Sequence, residues 1–420
     1  MRLAVLLGGL ASGNILLVFI YQWYTVTTVG PGAETDALYA GMVVPQLILL
    51  IITGSLTHVL VPLLSTQRRD EVYQNAWVFL QSIGLLFSVI TCTLFLTSRI
   101  WVPWTVPGFD ADTKSLTLSL VRIQLVGIVF AALTAVLWSV NYARQRFIWV
   151  ELSSIISNII GFGVLIWGLS RFGIVAAAWA MVLKTFLQTL FLLRGLGPYT
   201  KPDWRNESLK EAWRRLKPLL IGNTYYKTDQ LVDRFLASMA PVGGLTLLYM
   251  AQQLYGSGNS ILNKSIVTPM TPVLAQKAHA GNWRTFRYIF FKRLLVMGGL
   301  TGLGFLVVLI FGRPLLTVLF GHKRFGTENV ATLWWLLVAL VGVWIGGGMG
   351  AITSTTFYAK GDTRTPTTLG IWTYTIYLPL KVASFILFKL TGLAISTSLF
   401  YMVNFILQLY FLRNLPHEES

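Results

Sequence analysis

An ionisable side chain inside an apolar helix costs several kcal/mol unless it meets a partner or water, so such residues mark where chemistry has to be sought. In this chain they are Arg122, Lys184, Lys227, Arg234, Lys264 and Lys381. Around Lys264 the residues Gln253, Ser257, Ser260, Thr268 and Thr271 recur every third or fourth position, which places them on one face of a helix. Asn223, Lys227, Gln230 and Arg234 repeat that spacing one helix earlier. Isolated Ser, Thr or Gly is enough to glue two membrane helices together. Two continuous polar stripes instead predict a hydrated cavity, with Lys227, Lys264, Gln253, Ser260, Asn223 and Gln230 as solute-binding groups. A buried structural network is the competing explanation. Arg234 alone is better explained by its guanidinium reaching the outer interface.

Asp229 and Asp233 lie one turn apart on a different face from the stripe. Paired carboxylates of this kind bind a cation or take up a proton during transport. An ion pair with Lys381 or Lys184 explains them equally well, and Lys381 would also serve as a tethered cation in place of a free one. Catalytic constellations are missing from the sequence. It has no phosphate-binding glycine loop followed by Lys-Ser/Thr, no nucleophile elbow and no zinc-ligand spacing among His58, His279, His322 and His417. The single Cys92 rules out an internal disulfide framework. Asp110 and Asp112 fit a solvated turn. The expectation is a non-enzymatic protein without a cofactor, beyond Na+ or H+ as a coupling ion.

The elements that hold these residues are long apolar stretches. Of the 420 residues 55% are hydrophobic and 12% charged, against about 25% charged in soluble domains. The mean hydropathy is +0.65. Stretches long enough to span a bilayer fall near 4–27, 37–64, 75–97, 116–141, 147–169, 174–193, 218–239, 243–275, 288–312, 330–357, 366–387 and 391–412. The fold expected is an all-α polytopic membrane protein of about twelve transmembrane helices. The net charge of +17 is distributed by topology. Arg2, Arg68, Arg69, Arg144, Arg146, the basic segment 194–217, the cluster 277–293, Lys360, Arg364 and Arg413 fall on one side. Only Arg99, Lys114, Arg171, Arg313, Lys323, Arg324 and Lys389 fall on the other. The positive-inside rule then sets both termini in the cytoplasm and makes nucleic acid an unneeded partner. The apolar N-terminus runs past signal-peptide length without a small-residue cleavage site, which predicts a retained first helix.

The chain also resembles itself. Ser55-Leu56 with Pro62 recurs as Ser265-Ile266 with Pro272, Tyr142-Ala143-Arg144 as Tyr358-Ala359-Lys360, and Gly173, Phe186, Leu190 and Arg194 as Gly392, Phe405, Leu409 and Arg413. Three matches in one order, each roughly 215 residues apart, predict a parallel repeat of six helices. The lobes would be 1–194 and 218–420, joined by the basic cytoplasmic linker 195–217 and related by a pseudo-twofold with a cavity between them. Pro45 and Pro269 are expected to bend their helices, and Gly346-Gly347-Gly348 to allow bending or close approach.

Certain segments resemble the MurJ (MviN)-type lipid II flippases of the multidrug/oligosaccharidyl-lipid/polysaccharide exporter superfamily. These are Gly30-Pro-Gly-Ala-Glu-Thr-Asp-Ala37 with Pro45 and Pro62, Leu231-Val-Asp-Arg-Phe-Leu-Ala-Ser238 with Tyr249, and Phe357-Tyr-Ala-Lys-Gly-Asp-Thr-Arg-Thr-Pro366. The resemblance covers nearly the whole chain and implies alternating-access flipping of a polyprenyl-pyrophosphate-linked saccharide, a peptidoglycan precursor or exopolysaccharide unit. It further implies the bacterial cytoplasmic (inner) membrane as location, with membrane lipids and cell-envelope synthesis proteins as partners. Two departures stand out: the family has fourteen helices rather than about twelve, and its pyrophosphate-binding arginines of helices 1, 2 and 8 fall here at Ile15, Tyr21, Leu49 and Gln253. Lys227 and Lys264 would supply replacement cations, as point charges rather than bidentate forks. The family's cation site suggests Asp229 or Asp233, with Thr397 and Asn404. A small-molecule/cation antiporter of the same superfamily (MATE-like) and a transport-inactive membrane scaffold are the alternatives.

Overall fold

The computed structural model describes residues 2–65, 67–197, 199–201 and 206–413. They are helical almost throughout and include no strand, as the unbroken apolar runs require. By Cα packing the chain divides into two units, Met1–Gly243 and Gly244–Ser420.

The first unit contains α1 (Arg2–Val29), α2 (Ala33–Gly41), α3 (Val43–Ser65), α4 (Arg69–Thr105), α5 (Ala111–Ala143), α6 (Phe147–Phe172), α7 (Ile174–Leu193), α8 (Glu207–Lys227) and α9 (Asp229–Ala237). Its core is built on α5, whose Val121, Leu125, Ile128, Leu137 and Val140 join Leu56 and Leu60 of α3, Phe79 and Phe87 of α4 and Leu192 of α7 in one cluster. Ala212 and Leu216 of α8 join the same core. Thus α8 starts inside the 195–217 segment read as a linker, and α8 and α9 pack with the first unit. The charged start of α8 is laced by Lys210–Glu207, Arg214–Glu211 and Arg215–Glu211 pairs at 2.6–2.7 Å. Arg215 and Arg214 hold the Glu211 carboxyl below its usual range.

The second unit runs through α10 (Gly244–Leu262), a π turn at Asn263–Val267, α11 (Thr268–His279), α12 (Trp283–Phe320), α13 (Thr327–Ala339), α14 (Val341–Ala359) and α15 (Arg364–Leu412). The 49 residues of α15 are two helices, because Lys389 breaks the chain at φ 52° and ψ −133°. Contacts across the break pair Tyr377 with Thr397 and Thr373 with Asn404, so the halves run antiparallel. The core combines Ile266, Met270 and Leu274 with Phe286 and Phe290 of α12, Ile352 and Phe357 of α14 and Phe405 of α15.

Nine helical stretches among the described residues are long and apolar enough to cross a membrane, and the last of them is the Lys389 hairpin. Two further segments, α8–α9 and α10–α11, are more polar and carry the polar stripes. Counted by path, the segments match the twelve read from sequence, with several subdivided. The single span read at 37–64 breaks at Met42, and the one at 330–357 breaks at Leu340.

The repeat is visible in backbone geometry. α5 ends in a Schellman turn, with Gln145 at φ 57° and the Arg146 N–H donating to the Asn141 carbonyl at 2.9 Å. α14 ends identically, with Gly361 at φ 81° and the Asp362 N–H donating to Phe357 at 3.0 Å. The α6–α7 turn at Gly173 (φ 56°, ψ −147°) has the geometry of the Lys389 turn, so the backbone pairs Gly173 with Lys389 and not with the Gly392 of the sequence repeat. Gly30 and Gly243, entering α2 and α10, stand at φ 90° and 87°.

Candidate functional site

Lys227 and Lys264, the cations picked out by spacing, both sit where a membrane helix is interrupted. Lys227 is the last residue of α8 and Asp229 the first of α9, with Thr228 between them. A lysine at a helix C-terminus and an aspartate at the next N-terminus complement the two helix dipoles. Lys227 Nζ donates to the Leu50 carbonyl of α3 at 2.7 Å and is half-buried. Lys264 lies inside the π turn and is exposed. That turn ends with the Thr268 N–H donating to Asn263, a five-residue reach. Interrupted helices free backbone groups and open positions for a polar solute, and they are the features by which transporters build binding sites.

The rest of the stripes are arranged less simply. Gln253 donates to Tyr249 Oη at 3.2 Å, and exposed Ser260 donates back to the Gly256 carbonyl at 2.8 Å. The π turn inserts a residue, so Thr268 and Thr271 are rotated from the face that Gln253, Ser260 and Lys264 share. Gln230 is exposed at the start of α9, and the side chain of Asn223 lies outside the described residues. Pro45 and Pro269 occupy the first turns of α3 and α11, just after the breaks, where a missing N–H costs nothing.

Among the candidate coupling residues, Asp233 is buried and Asp229 half-buried in the first unit. In the second unit Lys381 is fully buried, with its ammonium 5.0 Å from the ring centre of Tyr377. Tyr377 Oη bonds Thr397 Oγ1 at 2.9 Å, so Lys381 and Thr397 share a neighbour. Asn404 belongs to a longer chain that the sequence did not reveal. Thr353 and Ser354 donate to Gln408 Oε1 at 2.6 and 2.9 Å, Gln408 donates to Asn404 at 2.6 Å, and Asn404 donates to Thr373 at 3.2 Å. Apart from the i,i+4 pair Asn404–Gln408, these residues come from different helical segments, so single-helix spacing could not have linked them.

Two sequence expectations are corrected. Arg234 does not reach for the interface: it is buried, 6% exposed. Lys184 forms no ion pair with Asp229 or Asp233; among the described residues its ammonium meets only the Tyr21 ring, 5.5 Å from the centroid. The glycine run of α14 serves close approach. A Cβ on Gly346 would come within 2.9 Å of the Tyr401 backbone in α15. Asp110 caps α5 as a solvated turn residue, its carboxyl held below the usual range by the Thr113 hydroxyl.

Comparison with known proteins matches residues 25–415 to the family described as lipid II flippase MurJ. A probable lipid II flippase MurJ of Buchnera aphidicola (subsp. Acyrthosiphon pisum) is 24% identical, covering 93% of this chain and 80% of its own. One from Vibrio cholerae is 21% identical over 89% and 75%. Among solved structures, lipid II flippase MurJ in an inward closed conformation superposes with a TM-score of 0.83 at 17% identity, over 98% of this chain and 88% of that one. An inward-facing MATE family multidrug transporter superposes at 0.77 with 15% identity, over 97% and 93%. With a family match running through all but the chain's ends and the same multi-pass fold, this protein belongs to the MurJ lipid II flippase family.

Proposed function

We propose that this protein flips a polyprenyl-pyrophosphate-linked saccharide of the lipid II type across the bacterial inner membrane, with both termini in the cytoplasm. The observation that supports this most is the family match over 25–415 combined with a lysine at each of two helix interruptions, at Lys227 and at Lys264. Each places an ammonium at a break in a membrane helix, the kind of cation a pyrophosphate requires. Asp229 or Asp233, with Lys381, Thr397 and Asn404, would couple the movement to Na+ or H+. Lys381 is fully buried with its ammonium over the Tyr377 ring, which suits a built-in positive charge.

The test is a flipping assay in proteoliposomes loaded with lipid II, run on the parent chain and on Lys264→Ala. Because Lys264 is exposed, the substitution is expected to change stability by less than about 0.5 kcal/mol. It should nevertheless lower the initial flipping rate at least tenfold. Normal flipping by Lys264→Ala would remove the pyrophosphate assignment.

A further inference from the structure

The first unit contains a second polar site that the flippase reading does not use. An open cleft of about 200 Å³ is lined by Pro45, Gln46 and Leu49 of α3, Gln124, Gly127 and Ile128 of α5, and Lys184 and Thr185 of α7. Two of its groups are chemically unfinished. Lys184 contributes an ammonium that meets no carboxylate and no hydrogen-bond acceptor among the described residues. Gln124, only 7% exposed, spends its amide N–H on the Leu38 carbonyl at 3.1 Å, leaving Oε1 without a partner. Gly41 leaves that oxygen room, since a Cβ there would stand 3.1 Å from it.

Buried polar atoms are nearly always paired, and each exception in a native structure needs an explanation. An ammonium without a counter-charge in the middle of a membrane helix, as at half-buried Lys184, is costlier still. The two vacancies are complementary: a donor-rich cation asks for an anionic acceptor, and Gln124 Oε1 asks for a donor. A phosphate bearing an O–H satisfies both at once. The volume is below the roughly 300–1,000 Å³ of drug-sized pockets and suits a head group.

We infer that this cleft is an anion subsite that takes a hydroxyl-bearing phosphate, with Lys184 holding the phosphoryl oxygen and Gln124 Oε1 accepting from the hydroxyl. Two sources share that chemistry: a glycerol-phosphate lipid head group and free phosphate. The inference is independent of the transport reading, because it uses neither Lys227 nor Lys264.

The test uses the full-length protein in phosphatidylcholine nanodiscs, with its thermal midpoint measured against added phosphatidylglycerol and, separately, inorganic phosphate. Native mass spectrometry counts retained lipid. The parent should be stabilised by several degrees by at least one probe, and the responding probe identifies the source. Lys184→Met should abolish the shift, Gln124→Leu should weaken binding by about three- to tenfold, and Lys292→Met, at an exposed lysine outside both sites, should leave it intact. Removing an intramembrane charge that has no counter-charge should leave the unliganded Lys184→Met protein at least as stable as the parent. A shift that survives in Lys184→Met, unchanged affinity in Gln124→Leu, or no response to either probe would overturn the inference.

Discussion

Lys389 holds a backbone conformation, φ 52° and ψ −133°, that is open mainly to glycine. The strain costs on the order of 1–3 kcal/mol, and glycine would give part of it back through its extra unfolded-state entropy. Lys389→Gly is therefore expected to stabilise the protein by about 1 kcal/mol, raising its thermal midpoint in detergent; a lowered midpoint would show that the lysine is held by contacts worth more than the strain. At this scale the sequence was informative where a residue's role depends on its own helix. The three- and four-residue spacing that singled out Lys227 and Lys264 is local, and both occupy interruptions in the structure. It was uninformative where the role depends on what lies opposite. Neither the burial of Arg234 nor the Tyr21 ring facing Lys184 can be read from spacing along one helix.

At the scale of elements, four of the membrane segments are interrupted: α2–α3 at Met42, α8–α9 at Thr228, α10–α11 at the π turn and α13–α14 at Leu340. Pro45 and Pro269 announced two of these but not their form, since proline is compatible with a kink or with a fresh helix start. The other two have no breaker residue and arise from tertiary packing. In α14 that packing is tight: Gly342 and Gly346 lie against the backbone at Ser398 and Tyr401 of α15. Gly346→Val would drive a side chain into that contact and should destabilise the second unit by about 2–3 kcal/mol. Hydrogen exchange of α14 and α15 would report the loss, and parent-like protection would refute the close contact.

For the whole molecule, the apolar runs and the charge bias carry most of the information, because the bilayer accepts few alternatives to a helix. The topology they predict is open to a direct check. With the sole Cys92 replaced by Ser, a cysteine at Lys389 should react with an impermeant maleimide from the periplasmic side, and one at Lys360 only from the cytoplasm. The reverse pattern would invert the assigned orientation. Less legible was where the chain divides. Sequence began the second lobe at 218, whereas Ala212 and Leu216, in the segment read as a linker, lie in the core of the first unit, which by packing runs to Gly243. The paired turns add one more consequence. At the Schellman turns one half has Gln145 where the other has Gly361, and at the hairpins one has Gly173 where the other has Lys389. Each half is thus an alignment partner for the other, and wherever the two disagree at one backbone geometry, the chain itself names the residue an engineer should try.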